Sequence, residues 1–283
     1  MTSLRAAVPA PLHGLARRGY LEVGRATAGR RNPPGMILVG ASRSGTTSLF
    51  RALNDHPDVS PPPVNKGVRY FDLNYGRPWD WYLGHFPLRR SHRSTPILTY
   101  EASGYYLFHP FAVPRIAQHL PDAKIVVILR NPVERAYSAW KHESARGFEW
   151  EPFERALALE DERLEGEVER MRRDVRYQSF CHRHHSHRGR GEYAGQLERI
   201  YAHFPRTQVH VIQSERFFEN GAQEYARLTE FLGLRPNQPA SFGRHNPRPS
   251  SPMPVALQRR LAAHYQPHNE RLESLLGKAV AWG

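Results

Sequence analysis

"MILVGASRSGTTSLF", residues 36–50, decides how this chain is read. A short apolar run, Met36 to Val39, has the character of a buried strand. Gly40 and Gly45 stand five apart, the glycine spacing of a phosphate-binding loop, and a helix is expected from Thr46 to Asn54. Backbone N–H groups at such a helix start lack intrahelical acceptors, and the helix dipole adds positive charge, so the turn suits an anion. Ser44, Gly45, Thr46, Thr47 and Ser48 offer further donors, and Arg43 adds a fixed charge.

Thr46 follows Gly45, where a nucleoside triphosphatase carries a lysine. The clearest strand, "KIVVILR" at 124–130, ends in Arg130 rather than in a metal-binding Asp. An arginine there binds an anion. Together the two places describe a ligand with phosphate groups at two points, held by arginines and hydroxyls, and they argue against a P-loop kinase.

Working outward, strands are expected at 96–103 and 208–213, and helices at 112–120, 132–144, 192–204 and 222–232. A last helix is expected over 255–276. Strands alternating with helices predict an α/β fold, a central parallel sheet with helices on both faces. Residues 149–173 are dense in charge and read as one solvated helix with charge pairs four apart. The proline-rich stretch 235–254 reads as a loop or lid.

The 283 residues fit a basic N-terminal arm, 1–34, read as loose or as a short helix, and one domain, 35–283. Hydrophobic residues make up 40%, enough for a core. A formal charge of +13 suits an anionic ligand, a nucleic acid or an acidic surface without choosing among them. The basic residues form no recognisable nucleic-acid motif, so a polyanion-binding protein without catalysis is the weaker reading. Cys181 is the single cysteine, which rules out an internal disulfide and suggests a reducing, cytoplasmic compartment. No run approaches the roughly 18 apolar residues of a membrane span.

"GASRSGTTSLF" resembles the 5′-phosphosulfate loop of the sulfotransferases that use 3′-phosphoadenosine 5′-phosphosulfate (PAPS). "KIVVILRNPVERAYSAWKHE" is similar to their 3′-phosphate motif, which puts Arg130 and Ser138 on the 3′-phosphate. "RGEYAGQLERIYAHFPRTQVHVIQSERFF" looks like a later segment of the carbohydrate branch, the one that includes heparan sulfate sulfotransferases. The resemblance spans about residues 36–235. It implies a P-loop α/β fold and metal-free, in-line transfer of a sulfuryl group from PAPS to a hydroxyl or amine of a carbohydrate or small molecule. Arg43 takes the place of a loop lysine that steadies the bridging oxygen.

Many carbohydrate members carry Lys-Glu-x-x-Phe-Phe after the loop helix, with the Glu as base. Here "NKGVRYFD" keeps Lys66 and Phe71 but has Gly67 in the Glu place. Glu101 and Asp72 are the remaining candidates for the base, with Glu101 favoured because it follows a strand. The structural alternatives are an ion pair of Glu101 with Lys66 or Arg69, and a turn or cap role for Asp72. The resemblance also brings Arg183 or Arg188, Tyr193, Arg244 and Arg248 toward the nucleotide. "CHRHHSHRGR", 181–190, has ligand types that suit zinc, but its spacing matches no standard site, and it reads as a polar basic loop. Tyr70, Phe71, Tyr75, Trp79, Trp81 and Tyr82 suit either core packing or stacking on a ligand.

Overall fold

The computed structural model describes residues 19–62, 66–89, 97–243, 252–280 and 282. Five parallel strands form one sheet in the order β2-β3-β1-β4-β5: β1 Met36–Gly40, β2 Val59–Ser60, β3 Leu98–Ala102, β4 Lys124–Leu129 and β5 Val209–Gln213. The helices that position the site are α1 Thr46–Asn54, α2 Ala112–His119, α3 Pro132–Ser144, α4 Tyr193–Tyr201, α5 Gly221–Leu232 and α6 Val255–Leu276.

The strands are apolar on both faces, and their period of two splits the core. Ile37, Val39, Ile125, Val127 and Leu129 pack with Ile116 of α2 and with Leu197 and Ile200 of α4. Met36, Leu38, Val126, Ile128 and Ile212 face the other way, onto Leu49 and Leu53 of α1 and Leu228 of α5. Helices therefore cover both faces, as the alternation of elements predicts.

One expectation changes, and for the N-terminal arm the short-helix alternative holds over its described part. The charged stretch 149–173 is three short helices, Phe153–Ala158, Glu160–Leu164 and Glu167–Arg173. Its carboxylates at Glu149, Glu160 and Glu167 are buried rather than solvated. Glu149 accepts from Arg163 at 2.8 Å, and Glu160 accepts the N–H groups of Arg188 and Gly189, both at 2.7 Å. The described part of the N-terminal arm is also docked. Residues 19–26 are helical, and buried Arg31 donates to the Phe86 carbonyl at 2.7 Å.

Candidate active site

The loop between β1 and α1 is fastened on both sides. Ala41 N–H donates to Ile128 O at 2.7 Å and Ser42 N–H to Gly104 O at 3.0 Å, so β4 and the segment after β3 both hold it. Gly45, at φ 98°, turns the chain through the left-handed region, where a glycine carries no side-chain clash, and starts α1 directly. Arg43 has φ 70° and Arg69 φ 58°. Non-glycine residues held in this region carry backbone strain that the surrounding structure must support, and such strain concentrates at ligand sites.

Four basic or hydroxyl side chains converge on the loop. Arg43 Nε donates to Ser138 Oγ at 3.2 Å. Arg130 Nη1 reaches the Arg43 carbonyl at 3.5 Å, and Arg130 Nη2 pairs with Glu134 at 3.4 Å. Lys66 Nζ donates to the hydroxyls of Thr46 and Thr47, both at 3.2 Å. Burial lowers Lys66 from 10.5 to about 8, so its charge is held at a cost that an anion beside it relieves. Ser138 is presented by α3, whose start is set by Pro132 and by the Asn131 side chain accepting from Val133 N–H and Glu134 N–H. Tyr193 is buried, and its hydroxyl donates to the Arg130 carbonyl at 2.9 Å. It positions the arginine from behind.

Gly67 is packed where a side chain has no room. A Cβ at this position would lie 2.2 Å from the Ala102 carbonyl oxygen, which belongs to β3. The glycine is thus required by the approach of two backbones.

Glu101 is not placed as a base. It is fully buried; its Oε1 accepts from Tyr82 at 2.8 Å and Tyr106 at 3.0 Å, and its Oε2 accepts from Val68 N–H at 2.7 Å. Burial raises its carboxyl from 4.5 to about 7 against the pull of these donors. It pairs with neither Lys66 nor Arg69 but pins β3 to the segment that carries Lys66. Asp72 is also sealed. It accepts from Ser103 Oγ at 2.8 Å and Leu73 N–H at 2.6 Å, with Arg69 at 3.7 Å, and burial raises its carboxyl. A base must reach the acceptor's proton, and both carboxylates spend their oxygens inside the wall.

Arg188 is held by its backbone N–H to Glu160 and pairs its guanidinium with Asp161. Arg244 and Arg248 fall outside the described residues. The histidines of the 181–190 stretch do not converge: His182 meets Tyr105, His184 meets Glu143, His185 meets the Phe148 carbonyl and His187 meets Glu149. Tyr70, Phe71 and Tyr82 are core residues, and Trp79 stacks on His119 with centroids 4.5 Å apart. The sequence does not single out Arg190 and brings in Arg69 only as an ion-pair partner for Glu101. Arg190 lies over the Tyr105 ring and donates to the carbonyls of His182 and Arg183. Only the left-handed backbone, invisible in the sequence, marks Arg69.

Two arginines, a lysine, hydroxyls and a helix N-terminus thus lie together at one end of the sheet. The sequence model described as "Sulfotransferase domain" matches residues 33–244. The chain belongs to the sulfotransferase family. This sulfotransferase is 28% identical over 279 residues to the human heparan sulfate glucosamine 3-O-sulfotransferase 6, covering 90% of this chain and 75% of that protein. It is 28% identical over 274 residues to the human bifunctional heparan sulfate N-deacetylase/N-sulfotransferase 3, covering 87% of this chain but 30% of that protein. Among solved structures, a sulfotransferase from Alicyclobacillus acidocaldarius superposes with a TM-score of 0.71 at 32% identity, covering 89% of this chain and 99% of that one. No helix among the described residues is long and apolar enough to cross a membrane.

Proposed function

We propose that this sulfotransferase moves the sulfuryl group of PAPS to a hydroxyl or amine of a carbohydrate. The observation that carries the reading is the junction of Arg43, Ser138 and Arg130, which joins the phosphate loop to the strand-end arginine in one basic surface. Arg130 and Ser138 suit the 3′-phosphate. The N-terminus of α1, Thr46, Thr47, Lys66 and Arg43 suit the 5′-phosphosulfate.

In the transfer, the bond from sulfur to the bridging oxygen breaks as a bond from sulfur to the acceptor atom forms. Adenosine 3′,5′-bisphosphate leaves with the bonding pair, and the acceptor's proton passes to water. Negative charge grows on the bridging oxygen, and Lys66 and Arg43, the charged side chains at the loop, are the groups suited to stabilise it there. The names of the heparan sulfate relatives support a carbohydrate acceptor.

The test is a thermal titration with adenosine 3′,5′-bisphosphate beside AMP and Mg·ATP, repeated with Arg130→Ala. A ligand at ~100 times its Kd stabilises by about 2.7 kcal/mol. Selective stabilisation by the bisphosphate, lost in the variant, is the expected result. An equal shift with AMP removes the 3′-phosphate assignment.

A further inference from the structure

We propose that Glu192, His264 and His268 form a site for one divalent transition-metal ion of the zinc class, separate from the phosphate loop. The three residues come from two segments. Glu192 immediately precedes α4, while His264 and His268 lie four residues apart on α6. That spacing puts both imidazoles on one face of the helix, with ring centroids 5.3 Å apart. His264 Nε2 lies 3.0 Å from Glu192 Oε1. One ligand atom from each of the three side chains lies within 4.8 Å of the other two.

Tetrahedral zinc, at about 2.0–2.2 Å from nitrogen and oxygen ligands, separates those ligands by roughly 3.4 Å. The Glu192–His264 pair is already inside that separation. His268, within 4.8 Å of both, has to close by at most about 1.4 Å, a side-chain rotation for a half-buried residue. Two imidazoles and one carboxylate match zinc, cobalt or nickel, whereas magnesium and calcium take oxygen ligands. Three protein ligands leave a fourth position for water.

The site contrasts with the 181–187 stretch, whose histidines are close in sequence but turn to different partners. Here the ligands are 72 residues apart in the case of Glu192 and His264, and they meet because α6 lies along α4. Tyr265, beside His264, already docks α6 by donating to the Arg188 carbonyl at 2.8 Å. Arg271 pairs with Glu198, nearly two turns further along α4. An ion would add a third link at the end of α4 that carries Tyr193, the residue behind Arg130. Its role is to brace this wall rather than to act on the transferred group.

The test uses the full chain, stripped with chelator and titrated with Zn2+ against a chromophoric competitor, beside thermal unfolding in Zn2+ or Mg2+. One equivalent of Zn2+ is expected, with a rise in Tm that Mg2+ does not reproduce. Co2+ in its place should give visible absorption. The double variant His264→Gln/His268→Gln should lose this equivalent, its affinity falling by more than the roughly 10–100-fold that loss of a ligand's outer partner costs. His203→Gln, exposed at the end of α4, should retain it. Should the double variant misfold, His268→Gln alone decides, because it leaves the Glu192–His264 bond in place. The absence of a saturable equivalent in the unaltered protein, or equal uptake by the variants, overturns the site.

Discussion

Arg43 Nε donates to Ser138 Oγ at 3.2 Å across 95 residues of chain. One residue follows β1 and the other sits in the helix after β4. These strands are parallel neighbours in the sheet, so their following segments open at the same edge. The loop after β1 and the helix after β4 are thereby a single electrostatic unit, with the Arg130 guanidinium at their seam.

Removing either end of that unit should weaken the bisphosphate selectively. A hydrogen bond to a charged group is worth about 1.5–3 kcal/mol, or roughly 10–150-fold in affinity. Arg130→Ala should lose about that much for adenosine 3′,5′-bisphosphate, and Ser138→Ala should lose less, with AMP hardly affected by either. Calorimetric titration of the two ligands against each variant measures this. Equal losses for AMP would show that Arg130 does not read the 3′-phosphate.

Lys66 should make ligand binding depend on pH. Its ammonium, lowered by burial to about 8, is needed charged beside an anion. Affinity for the bisphosphate should therefore fall as pH rises through 8, by at most about tenfold per unit for one linked proton. Lys66→Arg keeps the charge and should flatten the profile. In the free protein the depressed value works the other way. Between about 8 and 10.5 the unfolded chain binds more protons, so stability rises with pH over that window.

Glu101 gives the opposite slope. Its carboxyl is raised by burial from 4.5 to about 7, so the folded state binds more protons between those values. Stability contributed by this group is present below 4.5 and lost as pH rises through 7. Glu101→Gln keeps an acceptor for the Tyr82 and Tyr106 hydroxyls and should reduce that fall, with raised Asp72 leaving a residual slope. Denaturant midpoints across the range test it. Because Glu101 sits inside the wall, the variant should also transfer sulfuryl groups within about tenfold of the unaltered rate. A loss of ~10²–10⁴-fold with folding intact would restore it as the base.

Restoring a side chain at residue 67 should harm the protein. Gly67→Ala puts a methyl group 2.2 Å from a backbone oxygen of β3, which cannot step aside as a flexible side chain would. A destabilisation of about 1–3 kcal/mol is expected, as for overpacked sites, and Gly67→Glu should fare no better. Thermal unfolding reads the effect. An unchanged Tm in Gly67→Ala would show that the two backbones separate freely.

Much of this was legible in the chain because its causes are local. A β-branched run closed by Asn131-Pro132 marks β4 and α3, and the paired glycines mark the turn into α1. The last helix, expected over about 255–276, is α6. The charged stretch 149–173 misled for a physical reason. Its spacing reports which residues can face water, but Glu149 and Glu160 are buried by partners that arrive later in the chain, Arg163, His187 and the amides of Arg188 and Gly189. β2 escaped notice because two residues carry no period.

By itself, the amino-acid order determined the α/β alternation, the anion-binding turn and the arginine at the strand end. Each depends on backbone preference and charge within a few residues. Tertiary structure alone decided that Glu101 and Asp72 are sealed in the wall, that Gly67 lies against Ala102, and that His264 and His268 meet Glu192. Those outcomes depend on which distant segments pack together, and burial and partner choice belong to the pair of segments rather than to either one.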